Sequence, residues 1–138
     1  MNSIPEIARR WIGTPFRKGA AILGAGVDCV HLALEIYREA GLPITDTFGD
    51  YSLDGGRHLE TSKVVSWLKE SPHFKRVECD EPGDLILFRI GGVEHHVGVG
   101  VSGSTFVHAI KKHGVIESNL ADSTWTKRRS LVYRPIFP

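Results

Sequence analysis

The segment HVGVGVSGSTFVHA, residues 96–109, predicts the β-hairpin on which the rest of the fold is built. Its strands, 96–101 and 105–109, are joined by Ser-Gly-Ser, and a loop of three residues makes Val99 oppose Val107. This register collects the valines and Ala109 on one face as a hydrophobic core. A slip of one residue would scatter them between the two faces, so the hydrophobic pattern selects this register.

The opposite face of the hairpin carries two histidines, His96 and His108, with glycines between them. In the predicted register His108 faces Gly98 and His96 is its diagonal neighbour, so the two imidazoles can hydrogen-bond. The glycines leave room above the sheet for another group to approach. His95 points to the other face by strand parity. This pairing favours a functional site, and the alternative is that both histidines are ordinary half-buried strand residues.

The remaining sequence predicts helices first and strands second. Apolar periodicity predicts helices over residues 3–12, 28–40 and 59–68, and Phe16–Val27 is predicted to be a loop. Strands are predicted over residues 84–90, 95–101, 105–110, 115–118 and 131–136. This order predicts an α+β fold with N-terminal helices packed on a C-terminal antiparallel sheet of about five strands. The length of 138 residues suits a single domain, residues 1–138.

The second predicted helix has a cysteine at its start. Asp28 is a suitable N-cap, and Cys29 follows where backbone N–H groups and the helix dipole favour an anion. A thiol there is expected to have a lowered pKa, and an imidazolium beside it would give a thiolate–imidazolium pair. Alternatively, Cys29 is simply the first residue of a buried apolar stripe. Cys79 lies between two acidic residues, which disfavour a thiolate, so we predict a structural role for it.

Composition excludes several classes of function. Lys and Arg number 17 and Asp and Glu 16, and a formal net charge of +1 gives no electrostatic basis for binding nucleic acid. No stretch approaches the ~18 apolar residues of a membrane helix, and no signal peptide is recognisable, so synthesis in the cytoplasm is expected. Four of the seven histidines have no derivable partner and are predicted to be surface residues; they are His31, His58, His73 and His113.

Packing of the second helix against the polar face of the hairpin would assemble three reactive groups. Cys29 would be the nucleophile, His96 the base paired with it, and His108 the group that orients His96. The same three side chains would make a zinc site with an open fourth position, although no CxxC or HxxxH spacing supports one. We predict no cofactor and no metal.

Four motifs in fixed order resemble a known family. They are Asp28-Cys29, PGDLILF at 82–88, HVGV at 96–99 and FVHA at 106–109. Together they resemble the NlpC-type cell-wall endopeptidases, which are papain-like cysteine peptidases, over nearly the whole chain. The Cys-His-His triad of that family falls on Cys29, His96 and His108. The opening WIGTPF at 11–16 is most similar to the phage-tail and prophage branch.

The resemblance implies hydrolysis of an amide bond in peptidoglycan stem peptides, typically between D-glutamate and a diamino acid. It places Phe16, Asp28 and Val30 at substrate-binding positions, and makes phage tail proteins candidate partners and the virion a candidate location. Three features depart from the family. Phe16 stands where Tyr is frequent, Val30-His31 replaces the common Ser-Gly, and the segment 16–27 is longer than usual. The reaction type is therefore better supported than the specificity.

Two further functions use the same residues. An acyltransferase would follow if water were excluded from the acyl-enzyme, but the related transferases place histidine before cysteine in the chain. A non-catalytic module that binds cell wall or a partner protein is the other alternative. Retention of Cys29, His96 and His108 argues against it.

Overall fold

The computed structural model describes residues 3–45 and 63–138, which form helices and strands in the expected α+β order. The predicted helix start at 59–62 and the prediction for His58 lie outside this part of the chain. The helices are α1 (Ile4–Arg10), α2 (Cys29–Glu39), α3 (Lys63–Glu70) and α4 (Ser123–Arg128). The strands are β1 (Ala21–Ile22), β2 (Gly26–Val27), β3 (Phe74–Val77), β4 (Leu85–Ile90), β5 (Val93–Gly100), β6 (Thr105–Ile110), β7 (Gly114–Asn119) and β8 (Arg129–Pro135).

The main sheet has six antiparallel strands in the order β3-β8-β4-β5-β6-β7. The α+β prediction is confirmed, with one strand more than expected. The additional strand, β3, was missed because it is a four-residue edge strand in which only Phe74 is fully buried. The prediction of a loop over Phe16–Val27 is corrected as well, because β1 and β2 form a short hairpin within it.

The predicted hairpin has the predicted register. Val99 of β5 pairs with Val107 of β6, and the backbone N–H of Val101 donates to the carbonyl of Thr105 across the turn. The valines of this face, with Ala109, are buried in the main hydrophobic core. Helix α2 packs on β5 and β6 from this side, and α1 packs on α2. The core therefore fixes which hairpin face is left for polar side chains.

Local capping determines where the helices begin. Ser3 is the N-cap of α1 and accepts a hydrogen bond from the Glu6 N–H. Asp28 is the N-cap of α2 and accepts from the His31 N–H, which makes Cys29 the first helical residue. No helix in the described ranges 3–45 and 63–138 is long and apolar enough to cross a bilayer.

The segment that precedes β1 is attached to the start of β7. The Gly13 N–H donates to the Val115 carbonyl at 3.0 Å, and the Val115 N–H donates to the Thr14 carbonyl at 2.9 Å. Gly114 makes this approach possible, because a Cβ there would lie 2.5 Å from the Thr14 oxygen. Phe16 then forms a parallel bridge with Val27, immediately before α2. The chain entry, β7 and the start of α2 are thereby held together.

Replacing Gly114 with Ala is expected to destabilise the fold through two effects. The residue has φ +72°, which strains any L side chain, and the new methyl group collides with backbone. Gly91 is a matched control, since it has φ +68° with open space around its Cβ position. We expect Gly91→Ala to lower the free energy of unfolding by about 1–2 kcal/mol and Gly114→Ala by about 3 kcal/mol or more, measured by denaturant titration. Equal losses would mean that the Thr14 contact is unimportant.

Candidate active site

The start of α2 holds a buried carboxylate beside a buried thiol. Cys29 and Asp28 are both buried, and the Asp28 carboxylate is 0% exposed. It accepts hydrogen bonds from the Gly19 N–H at 2.7 Å and the His31 N–H at 2.9 Å. Asp28 therefore anchors the loop that leads into β1 to the helix start, in addition to capping the helix.

His31 is not the surface residue that the sequence predicted. It is only 9% exposed, and its ring Nδ1 lies 2.8 and 2.9 Å from the two Asp28 carboxylate oxygens. His73 is half-buried, and His113 is exposed as expected. The predicted orientation of the His95 side chain lies outside what the structure describes. His31 lies three residues after the N-cap Asp28, a position from which a side chain commonly hydrogen-bonds back to the N-cap residue.

The environment of Asp28 determines its charge. Burial alone would raise the pKa of this carboxyl group, but hydrogen bonds from the His31 ring, the His31 N–H and the Gly19 N–H outweigh burial and lower the pKa. Asp28 is therefore ionised near neutral pH, so the His31 ring donates to it.

The two predicted hairpin histidines contact each other. His96 Nε2 lies 2.8 Å from His108 Nδ1, with the rings nearly perpendicular at 73°. Gly98 is required beneath them, because a Cβ at that position would lie 2.6 Å from the Phe106 ring and 3.4 Å from His108 Cβ. The expected imidazole pair above a glycine floor is confirmed.

Aromatic side chains surround this pair on the sheet face opposite the main core. Trp125 of α4 stacks on His96 at a centroid distance of 5.6 Å and meets His108 edge-on at 4.6 Å. Phe88 and Phe106 contact the histidines from the sheet. The sequence did not predict α4, since it has only six residues and none of them is fully buried. Its function in the fold is to bring Trp125 onto the imidazoles.

His108 is enclosed in this environment. The residue is 0% exposed, and burial lowers the pKa of its ring to about 3, so the ring is neutral near pH 7. Its second nitrogen, Nε2, lies 2.8 Å from Ser118 Oγ on β7. Sequence reasoning missed Ser118. The tight turn after β6 could have revealed it, because pairing Ile110 with Gly114 places His108 opposite Ile116 and Ser118 on the next diagonal.

A cleft of about 180 Å³ is lined by three of the six predicted site residues. Phe16, Cys29 and His96 line it together, and His108 lies behind His96. The remaining lining residues are Ile90, Ala109, Ile110 and Lys111. The predicted packing of the helix start on the polar face of the hairpin is wrong, because α2 packs on the valine face and Cys29 belongs to the main core. Cys29 and His96 are nevertheless brought together, since both line this cleft.

Two predicted substrate-binding residues lie elsewhere. Asp28 is fully buried and engaged by Gly19 and His31. Val30 belongs to the main core and lines a small apolar pocket between α2, α3 and the sheet. Contact of these two side chains with a substrate stays a prediction, whereas Phe16 is in the cleft.

The site residues are arranged in a line. The facing nitrogens of His96 and His108 contact each other, and so do not point toward a common centre. Across the described residues, no three His, Cys, Asp or Glu side chains converge as ligands of a metal ion would. In such an arrangement each group can fix the orientation of the ring that it hydrogen-bonds.

Comparison with known proteins identifies the family. The model of the NlpC/P60 family matches residues 13–134, which include Cys29, His96, His108 and the whole six-stranded sheet up to Arg134. The chain belongs to the NlpC/P60 family. Its likeness to the NlpC-type endopeptidases is therefore confirmed, while the phage branch stays a prediction.

NlpC/P60 relatives of known name or structure agree with this membership. The protein named "Murein DD-endopeptidase MepS/Murein LD-carboxypeptidase" of Escherichia coli K12 is 29% identical over 120 residues, covering 86% of this chain and 54% of that protein. The chain thus spans about half the length of that relative.

Solved NlpC/P60 structures have the same fold. The NlpC/p60 domain of the peptidoglycan hydrolase SagA has a TM-score of 0.61 at 18% identity, covering 94% of this chain and 93% of that one. An NlpC/P60 family protein from Bacillus cereus has a TM-score of 0.68 at 17% identity, covering 99% of this chain and 41% of that one. The papain-like fold predicted from the resemblance is confirmed.

Because His108 is neutral in the folded chain, we expect the free energy of unfolding to depend on pH. Its pKa is about 3 in the folded chain and about 6.5 when unfolded, so between these values the unfolded state binds the extra proton. The contribution of the neutral His108 ring to the free energy of unfolding is complete above about pH 6.5. It is lost as the pH falls toward 3, by at most roughly 1.4 kcal/mol per pH unit. Denaturant titrations at several pH values should therefore give a shallower decline for His108→Asn than for the unsubstituted protein. The exposed His113→Asn is the control, and an unchanged slope in His108→Asn would contradict the buried neutral ring.

Proposed function

We propose that this domain is a cysteine peptidase that hydrolyses an amide bond of peptidoglycan stem peptides. One observation carries the proposal: a thiol at a helix start and an imidazole held by a second imidazole line the same cleft. Membership of the NlpC/P60 family supports the same chemistry. Cys29 is the nucleophile, His96 the acid and base, and His108 the group that orients His96.

Acylation begins with the Cys29 thiolate. Its sulfur attacks the scissile carbonyl carbon, and the carbonyl electrons move to the oxygen, which the N–H groups at the start of α2 stabilise. His96 uses Nε2 to contact His108, so proton exchange with the substrate falls to Nδ1. Protonated His96 gives its Nδ1 proton to the amide nitrogen, the C–N bond breaks, and the amine leaves a thioester on Cys29.

Deacylation uses the same groups, but His96 now accepts a proton instead of donating one. Neutral His96 takes a proton from water at Nδ1, and the resulting hydroxide attacks the thioester carbonyl. The C–S bond then breaks, the acid product leaves, and the thiolate–imidazolium pair is restored. His108 keeps the His96 ring at the required angle through both half-reactions.

The proposed substrate is a stem peptide cleaved between D-glutamate and a diamino acid. Stem peptides carry free carboxylates, and the cation Lys111 is among the residues that line the cleft. SagA is named a peptidoglycan hydrolase, and MepS carries the names of two murein-cleaving activities. Because those names include DD-endopeptidase and LD-carboxypeptidase, the products must be assigned bond by bond.

Removing the thiol is expected to abolish turnover. Purified peptidoglycan and a synthetic stem peptide are incubated with the unsubstituted protein, Cys29→Ala and Cys79→Ala, and products are identified by mass spectrometry. The exposed Cys79 is the matched control. We expect fragments ending at D-glutamate from the unsubstituted protein and Cys79→Ala, and none from Cys29→Ala. Fragments from all three proteins, or from none, would overturn the proposal for these substrates.

The same digestion in water labelled with oxygen-18 separates hydrolysis from acyl transfer. A hydrolase places one labelled oxygen in each new carboxyl group, since water resolves the thioester. An acyltransferase joins the acyl group to an added amine and leaves the product unlabelled. Unlabelled product would favour the transferase alternative.

The two histidines are expected to differ in their contribution. His96→Ala removes the acid and base and should lower kcat by roughly 100- to 10,000-fold. His108→Ala leaves that group in place but less well oriented, so its loss should be smaller. Steady-state kinetics on the synthetic stem peptide measure both, with circular dichroism to verify folding. Equal losses in two folded variants would contradict an orienting role for His108.

A further inference from the structure

We propose that Ser118 is a positioning residue that fixes the tautomer of His108 and thereby the orientation of His96. The inference rests on the proposed function and adds a fourth member to its line of residues. The supporting contact is the 2.8 Å distance between Ser118 Oγ and His108 Nε2. Ser118 itself does not reach the cleft lining or the reacting atoms.

The contact follows from the sheet register. Ser118 of β7 pairs with Phe106 of β6, and His108 pairs with Ile116, so Ser118 and His108 are diagonal neighbours on one face. His96 and His108 meet across β5 and β6. The three polar side chains therefore form a continuous line across three adjacent strands.

The protonation states of the two histidines determine which atom donates in each hydrogen bond of this line. When His96 is protonated, both of its ring nitrogens donate, so His108 Nδ1 must accept from His96 Nε2. His108 is neutral at pH 7 and carries one ring proton, which must then be on Nε2. That N–H needs an acceptor, and the Ser118 hydroxyl oxygen is in position to accept it.

The other tautomer would oppose catalysis. A proton on His108 Nδ1 would face the Nε2–H of protonated His96, so two donors would meet and the imidazolium would be disfavoured. Loss of the Ser118 acceptor removes the preference for the correct tautomer, because the buried Nε2–H is left without its partner. Ser118 thus acts through His108 on the angle and basicity of His96.

Three variants separate this role from a general effect on the strand. Ser118→Ala removes the acceptor, and Ser118→Thr keeps a hydroxyl on a side chain suited to a strand. Glu117→Ala is the control, since Glu117 is the adjacent residue on the opposite face of β7 and bonds Arg9 and Thr105. Hydrogen-bond partners that orient metal-bound histidines typically contribute roughly 10- to 100-fold to activity, and we expect an effect of the same size here. We expect Ser118→Ala to lower kcat within that range with KM little changed, Ser118→Thr to recover most of it, and Glu117→Ala to be unaffected.

A second readout does not depend on substrate. Nitrogen-15 NMR of labelled histidine distinguishes the two neutral tautomers, and comparison with His108→Asn assigns the signals of His108. We expect an Nε2–H tautomer in the unsubstituted protein and in Ser118→Thr, and a mixed or Nδ1–H tautomer in Ser118→Ala. If the stem peptide is not a substrate, the proposed function fails while this spectrum still tests Ser118. An unchanged tautomer or an unchanged kcat in Ser118→Ala, or the same change in Glu117→Ala, would overturn the inference.

Discussion

The hydrogen bond between His96 Nε2 and His108 Nδ1 is the interaction on which the site depends. It exists only because β5 and β6 pair in one register, and that register is selected by the valines on the other face. Gly98 then allows the rings to approach, since any side chain there would meet Phe106. Core packing and site geometry are therefore two consequences of one strand pairing.

The two faces of the sheet contribute differently to the site. The helices bury the main core on one face and present the start of α2 to the cleft. On the other face, Phe88, Phe106 and Trp125 enclose the imidazoles. An apolar enclosure strengthens hydrogen bonds and disfavours a second charge. Burial accordingly lowers the pKa of the His108 ring to about 3, so this ring stays neutral beside His96 at pH 7.

Sequence reasoning succeeded where local patterns determine structure. The valine alternation predicted the register, and Asp28 predicted the start of α2. It failed where the decisive contacts are non-local or small. Strand β3 buries little more than Phe74, and α4 buries no residue fully, so neither has a strong periodic signal. The burial of His31 depends on its contact with the Asp28 side chain, and the role of Ser118 depends on the pairing of a third strand, β7; neither has a local sequence pattern.

The diagonal line across β5, β6 and β7 has a consequence for how this domain can change in evolution. Surface turns are usually where insertions and deletions are best tolerated. Here the turns at 101–105 and 110–114 separate His96, His108 and Ser118 along the chain. One residue added to a turn lengthens the loop, because the valines hold the pairing of the strands. One residue added within a strand instead reverses the parity of the residues beyond it and turns the polar side chain toward the core. We therefore expect these turns to vary in length, whereas the strand segments that carry the three polar residues are nearly as constrained in length as the buried residues are in type.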